Sequence, residues 1–352
     1  MQCSGNLLLF HLPVRLLKLI RNFIRPPKRC FINSVIASNR LHRRNRYCSF
    51  RKQHNPTPIV FVANGAGGIT DWFKGMVSLF DFCDRTGIEF KIHAKNKFNF
   101  EDFFSPNDYN WLLSDDDFNK LKDDSSTLHI VLSESGVKGK EAWNEQQDVL
   151  RFICFSKQVR AVFIYSVAPY GLKSFGTRFK SLFKMSDLLA SSVEEMTRKI
   201  GGDYFSVSLR FVNLLRDSSE EVTGINAISE TEQKQLISSC IEKLDELVNG
   251  RKDKKTLVTT DSYRFLTELD KHEFPTNTVF YLKGEEFHRH IGFSPTISTA
   301  GVLKSYTEFM LISRATEAYL IQIGSMYDSK FPKWAASING HPYVIIRENT
   351  KE

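Results

Sequence analysis

Read from residue 59 onward, apolar and polar positions switch repeatedly between two patterns. IVFVAN (59–64) is a short continuous apolar run, the mark of a strand buried on both faces. The turn GAGG (65–68) follows, and from Asp71 to Thr86 apolar residues recur at helical spacing. Phe90–Ala94 is a second short strand and LHIVLS (128–133) a third. FEDFFSPNDYNWLL (100–113) is aromatic-rich and broken by Pro106, and 142–166 is apolar without a decisive period. Leu188–Ile200 predicts a helix stopped by Gly201-Gly202. The strand YFSVSLRF (204–211) comes next, and then an amphipathic helix over Thr231–Val248, opened by the Ser229 to Glu232 capping pattern and ended at Gly250. The rest alternates: strand 256–260, helix 262–271, strand 278–282, helix 302–314, strand 318–323, helix 328–338 and strand 343–346.

Strand–helix alternation at this spacing means parallel strands joined by crossover helices. The predicted fold is therefore α/β. Its expected organisation is a leader over 1–57, an N-terminal α/β lobe over 58–200, and a C-terminal Rossmann-like lobe over 201–352, with a cleft between the lobes. Pro56-Thr57-Pro58 reads as the linker into the first lobe.

Charge changes the picture at the leader. The chain has 48 Lys and Arg against 40 Asp and Glu, a net of +8. Residues 1–70 hold twelve of the basic residues and no acid, so the body from Asp71 carries 36 basic and 40 acidic residues. A mildly acidic body disfavours nucleic acid as a partner, because phosphate neutralisation needs cations on the folded domain. Within the leader, Leu16, Leu17, Leu19, Ile20, Phe23 and Ile24 alternate with Arg15, Lys18, Asn22 and Arg25. Residues 14–29 thus read either as a basic amphipathic helix for an anionic membrane surface or as an organelle-targeting peptide. The expected location is cytoplasmic, peripheral on a membrane, with organelle targeting as the alternative. Six scattered cysteines without a CxxC pair argue against a zinc ribbon or a disulfide framework.

In open α/β sheets, ligands sit beyond the carboxyl ends of strands. The candidate residues there are Asn64, Gly65, Gly67 and Gly68, Ser133–Ser135, Arg210, Thr259–Ser262, and the loop from Ser325 to Phe331. Glycines after a strand let backbone amides approach an anion, though NGAGG equally suits a plain tight turn. Arg210 lies in an apolar strand and must find an anion, either a diphosphate or a structural carboxylate. TTDS (259–262) and the stretch around Ser329 both open helices, as phosphate sites or as caps. His288 and His290 have a metal-ligand spacing, but no carboxylate or cysteine joins them in a motif.

Five of these segments, in order, resemble the fucosyltransferase-like glycosyltransferases of GT-B architecture, a family that includes nodulation-type and protein O-fucosyltransferases and related bacterial polysaccharide enzymes. NGAGGITDWFKGMVSLF (64–80) is similar to an N-G-x-G-[DN]-R-x-K-G opening, and FNFEDFFSPNDYNW (98–111) to a block ending P-N-x-Y-x-W. DYFSVSLRFVNLL (203–215) stands at the place of H-x-R-R-G-D, with Ser208, Leu209, Arg210, Phe211, Val212 and Asn213 in those six positions. LVTTDSYRFL (257–266) and the closing stretch 303–346, with its S-x-F at Ser329–Phe331, complete the set. The resemblance implies an inverting transfer of fucose from GDP-fucose to a glycan or polysaccharide acceptor, with no metal or other cofactor. It gives Arg210 the β-phosphate of the leaving GDP, Asp261 (with Ser262 beside it) the guanine or ribose, and Ser329 and Phe331 a phosphate-contacting loop. Asp71 and Glu134 are the candidate catalytic bases. A silent glycan- or nucleotide-binding protein on the same fold is the alternative.

Overall fold

The computed structural model describes residues 30–31, 56–63, 68–95, 98–132, 146–148, 150–151, 153–154, 161–166, 174–217, 224–275, 278–283 and 298–348. In chain order these form β1 (Cys30–Phe31), β2 (Ile59–Val62), α1 (Ile69–Thr86), β3 (Phe90–His93), a 3-10 turn (Phe100–Asp102), β4 (Phe104–Pro106), α2 (Asp115–Lys122), β5 (Thr127–Leu132) and β6 (Ala161–Ser166). Then come α3 (Phe175–Leu182), β7 (Phe183–Met185), α4 (Asp187–Ile200), β8 (Tyr204–Leu209), α5 (Glu230–Asn249), β9 (Lys255–Thr260), α6 (Tyr263–Leu269), β10 (Val279–Phe280), α7 (Thr299–Arg314), β11 (Ala318–Ile323), α8 (Phe331–Ser337) and β12 (Tyr343–Glu348). The predicted alternation is present. The expected strand over 278–282 contracts to two residues, while α2, α3 and the antiparallel β4–β7 pair were not foreseen.

The chain forms two compact units, each built from separate stretches. The first takes the described residues up to Ala63, Lys74–His93 and Trp111–Leu172; the second takes the described residues of 64–73 and 94–110, and those from Lys173 onward. Residues 173–200, read from sequence as the end of the first lobe, thus cluster with the later sheet.

The first unit holds a parallel sheet in the order β1-β5-β6-β2-β3. Cys30–Phe31, inside the basic leader, supplies its edge. Strand β2 is buried throughout, as a central parallel strand should be. On one face Val60, Val62, Ala161 and Phe163 are covered by Phe118 and Leu121 of α2. Helix α1 begins where the Gly68 amide bonds the Asp71 carboxylate and ends at Gly87, whose φ of +68° stops it.

The second unit holds five parallel strands in the order β10-β9-β8-β11-β12. The chain starts at β8, builds outward through β9 and β10, then returns to the other side of β8 with β11 and β12. This is the Rossmann order 3-2-1-4-5, lacking only a sixth strand, and its topological switch point lies between β8 and β11. Phe205, Val207, Leu209, Val258, Tyr319 and Ile321 pack under α5 and α6. By strand alternation Ser206, Ser208, Leu257, Thr259 and Leu320 face the other side, where the Tyr204 hydroxyl bonds the Leu311 carbonyl of α7. Helix α7 packs between α4 and α8. Its Tyr306 and Phe309 meet a dense aromatic group of Phe73, Phe100, Phe104, Phe179 and Phe183. Phe100, Phe103 and Phe104 of the aromatic-rich block therefore supply core to this unit.

Candidate active site

The carboxyl ends of β8, β9 and β11 converge at the switch point of the second unit. Arg210 follows β8 directly, and its carbonyl accepts from the Tyr327 amide in the loop after β11 (3.2 Å). The two strand ends that frame the crevice are thus tied together by backbone. The Arg210 side chain is about a quarter exposed, and its Nε lies 3.2 Å from Oδ2 of Asp261, which is almost wholly buried. The structural carboxylate weighed for this arginine is present, and the side chain as a whole is not fully buried.

Asp261 does more than pair. Its Oδ1 accepts from the Phe211 amide (2.7 Å) and its Oδ2 from the Val212 amide (2.8 Å). One buried carboxylate therefore fixes both the cation and the backbone that follows it. The resemblance gives Asp261 to the guanine or ribose; in the fold its carboxylate also accepts from these two amides. Ser262 caps α6 by accepting from the Phe265 amide (2.9 Å), and its hydroxyl donates to Asp217 (2.6 Å). Asp217 also accepts from the Arg264 amide (2.8 Å). So the loop 211–217 is pinned at both ends to the start of α6. Within it, Val212 and Arg216 have φ of +55° and +63°. A β-branched residue in the left-handed region is strained, and the surrounding bonds must hold it there.

On the other side of the switch point, the Ser329 hydroxyl accepts from the Phe331 amide (3.3 Å), and the Phe331 ring packs edge-on against Phe309. Tyr263 and Tyr327 are exposed at the carboxyl ends of β9 and β11, the strands that flank β8. Ser208 and Thr259, neighbours in register, share a buried hydroxyl pair at 2.7 Å.

The structure is similar to the fucosyltransferase NodZ from Bradyrhizobium, with a TM-score of 0.46 and 11% identity over 80% of this chain and 93% of that one. It is similar to Arabidopsis thaliana FUT1 in complex with GDP (TM-score 0.49, 13% identity, 96% and 80% covered). It is also similar to POFUT1 in complex with GDP (TM-score 0.49, 13% identity, 83% and 99% covered). No protein-family model matches the chain, and no curated protein matches it.

Of the remaining sequence candidates, Asn64, Gly65, Gly67 and Glu134 lie outside the described residues, as do His288, His290 and the amphipathic stretch 14–29. Gly68 is described: a Cβ there would meet nothing within 4 Å, so close packing does not demand glycine. Asp71 sits in the first turn of α1, its carboxylate 3.2 Å from the Gly68 amide. Among the described residues no group of three His, Cys, Asp or Glu could hold a metal ion, and no helix is long and apolar enough to cross a membrane.

One pair escaped the sequence reading. At the carboxyl end of β3, His93 places Nε2 3.0 Å from Oδ1 of Asp115, the first residue of α2. The imidazole lies flat on the Phe118 ring, with centroids 3.6 Å apart and an interplanar angle of 3°. The signal was a histidine ending a strand and an S-D-D-D helix start 21 residues on, which spacing alone does not connect.

Proposed function

We propose that the chain is an inverting glycosyltransferase that moves fucose from GDP-fucose to a glycan or polysaccharide acceptor. The observation that carries this reading is Arg210: a cation at the switch point of a parallel sheet, its Nε held by a buried carboxylate and its side chain still reaching solvent. A guanidinium presents its donors in a planar fork suited to diphosphate oxygens. As the bond from the sugar C1 to the diphosphate oxygen lengthens, negative charge grows on the leaving group. A cation fixed in advance stabilises that charge more than it stabilises the ground state. Asp261 supplies the fixing, because it orders Nε and the two following amides together.

The backbone supports the register of the family resemblance. In H-x-R-R-G-D the glycine falls on Val212, and Val212 is at φ +55°, a conformation glycine adopts without strain. The second arginine falls on Phe211, which is fully buried and packs against Phe265. Of the two arginine positions in the pattern, Arg210 alone holds a cation in this sequence. A silent binding protein on the same fold is the second reading, favoured by that loss.

GDP binding is the first test. A ligand that binds only the folded state at 100 times its Kd stabilises by about 2.7 kcal/mol, so excess GDP should raise the Tm by several degrees. An unchanged Tm would remove GDP as the leaving group.

A further inference from the structure

Arg210 by itself under-compensates a diphosphate. Its Nε faces the buried Asp261 carboxylate at 3.2 Å, so part of its charge is already balanced inside the protein. A departing nucleoside diphosphate carries more than one negative charge, and a second cation on the same crevice would stabilise it further.

Arg216, Arg264, Lys330 and Arg347 lie at or beyond the carboxyl ends of β8, β9, β11 and β12 respectively. Arg264 bonds Glu230 and Gln233 of α5, and Arg216 acts electrostatically on the same Glu230. Both are therefore drawn to α5. Lys330 and Arg347 instead share one carboxylate. Lys330 Nζ stands 2.6 Å, and Arg347 Nη2 3.4 Å, from Oδ2 of Asp328. Arg347 has a second tie, from Nε to Oε1 of Gln322 (3.0 Å), its register partner on β11. Among the described residues Asp328 is the one partner of Lys330, whose side chain is 47% exposed. An ion pair this open to solvent is weak, so a phosphate oxygen can displace it. Asp328 then keeps a cation beside it, because Arg347 is held in place by Gln322.

Position favours Lys330 as well. It lies in the loop between β11 and α8, and that loop is tied to Arg210 by the bond from the Tyr327 amide to the Arg210 carbonyl. The Ser329 amide bonds the Tyr327 carbonyl (2.8 Å), which folds the loop back on itself. From Tyr327 to Lys330 the chain spans at most about 11 Å, and the flexible lysine stem extends the reach of its charge. Arg210 follows β8 and Lys330 follows β11, so the two cations stand on either side of the switch point, both within the second unit.

We propose that Lys330 is the second cation of the diphosphate site and that Asp328 holds it until the nucleotide arrives; this rests on the transferase reading above. Lys330 Nζ exchanges the Asp328 carboxylate for a diphosphate oxygen, opposite the fork of Arg210, and Asp328 stays with Arg347. Asp328 thus competes with the nucleotide for Lys330.

The test measures the Kd of GDP for the full chain, with the Tm of each ligand-free variant as the check on folding. Lys330→Gln should weaken GDP binding roughly 10-fold, as for one lost charge-assisted hydrogen bond, and Lys330→Arg should recover most of it. Asp328→Asn should move the other way and tighten GDP binding roughly two- to five-fold, because it removes the competitor. A pair that served only the fold would not give opposite signs. A folded Lys330→Gln protein with wild-type GDP affinity overturns the proposal. If Lys330→Gln fails to fold, Asp328→Asn decides: an unchanged or weakened affinity overturns it equally. A wild type that binds no GDP brings down the donor reading and this proposal with it, whereas GDP binding indifferent to Lys330 brings down Lys330 alone.

Discussion

Asp261 shows how much of a candidate residue's surroundings its neighbours in sequence leave out. The T-T-D-S pattern after an apolar strand marks a helix start and an acid at a ligand edge. It does not show that Phe211 and Val212, fifty residues earlier, turn their amides onto that acid. The bonds cross from the end of β9 to the end of β8, which only the sheet order brings together. Val212 is similar: nothing in S-L-R-F-V-N announces a positive φ, because valine rarely adopts one. Asp261→Asn keeps the volume but turns an NH2 toward amides that need an acceptor. It should cost about 2–4 kcal/mol, between the loss of a charged hydrogen bond and that of a buried pair, read as a lower urea midpoint. A midpoint within error of the wild type would show that the loop does not depend on this carboxylate.

Elements were far more legible, because hydrophobic period and end signals are local. The capping box at Ser229 and Glu232 forms as the sequence indicated, and Gly201 closes α4 with φ +60°. What failed to show had no period of its own. Helix α2 has no fully buried residue, and its acid-rich start reads as a solvated loop until Phe118 meets Phe163. Strand β10 is short because only Val279 and Phe280 pair with β9. Helix α3 carries a constraint invisible in sequence. A Cβ on Gly176 would stand 2.7 Å from the Ser337 carbonyl oxygen and closer still to that of Ile338, at the end of α8. Those neighbours are backbone and cannot rotate away. Gly176→Ala should therefore destabilise by about 1–3 kcal/mol, although the same change in an unpacked helix stabilises. A raised Tm would mean that α3 and α8 do not approach as described.

At the scale of the whole molecule, charge and chemistry are separated along the chain. The surplus of positive charge belongs to residues before Asp71, while the body is mildly acidic and places Arg210, paired to a buried carboxylate, at the switch point of its second sheet. That the body holds two parallel α/β sheets followed from its alternation. That the units draw on interleaved stretches did not, since 64–73 and 94–110 are short, and their aromatic residues pack on one another and on α3, β7 and α7. The central claim is that Arg210 receives the charge of a departing nucleoside diphosphate. The measurement that reaches it most directly is GDP release from GDP-fucose by the wild-type chain and by Arg210→Ala. The wild type should release GDP, and the variant should do so roughly 10²–10³-fold more slowly, as when one transition-state donor is removed. Release at the same rate by both proteins, or by neither, would contradict the account.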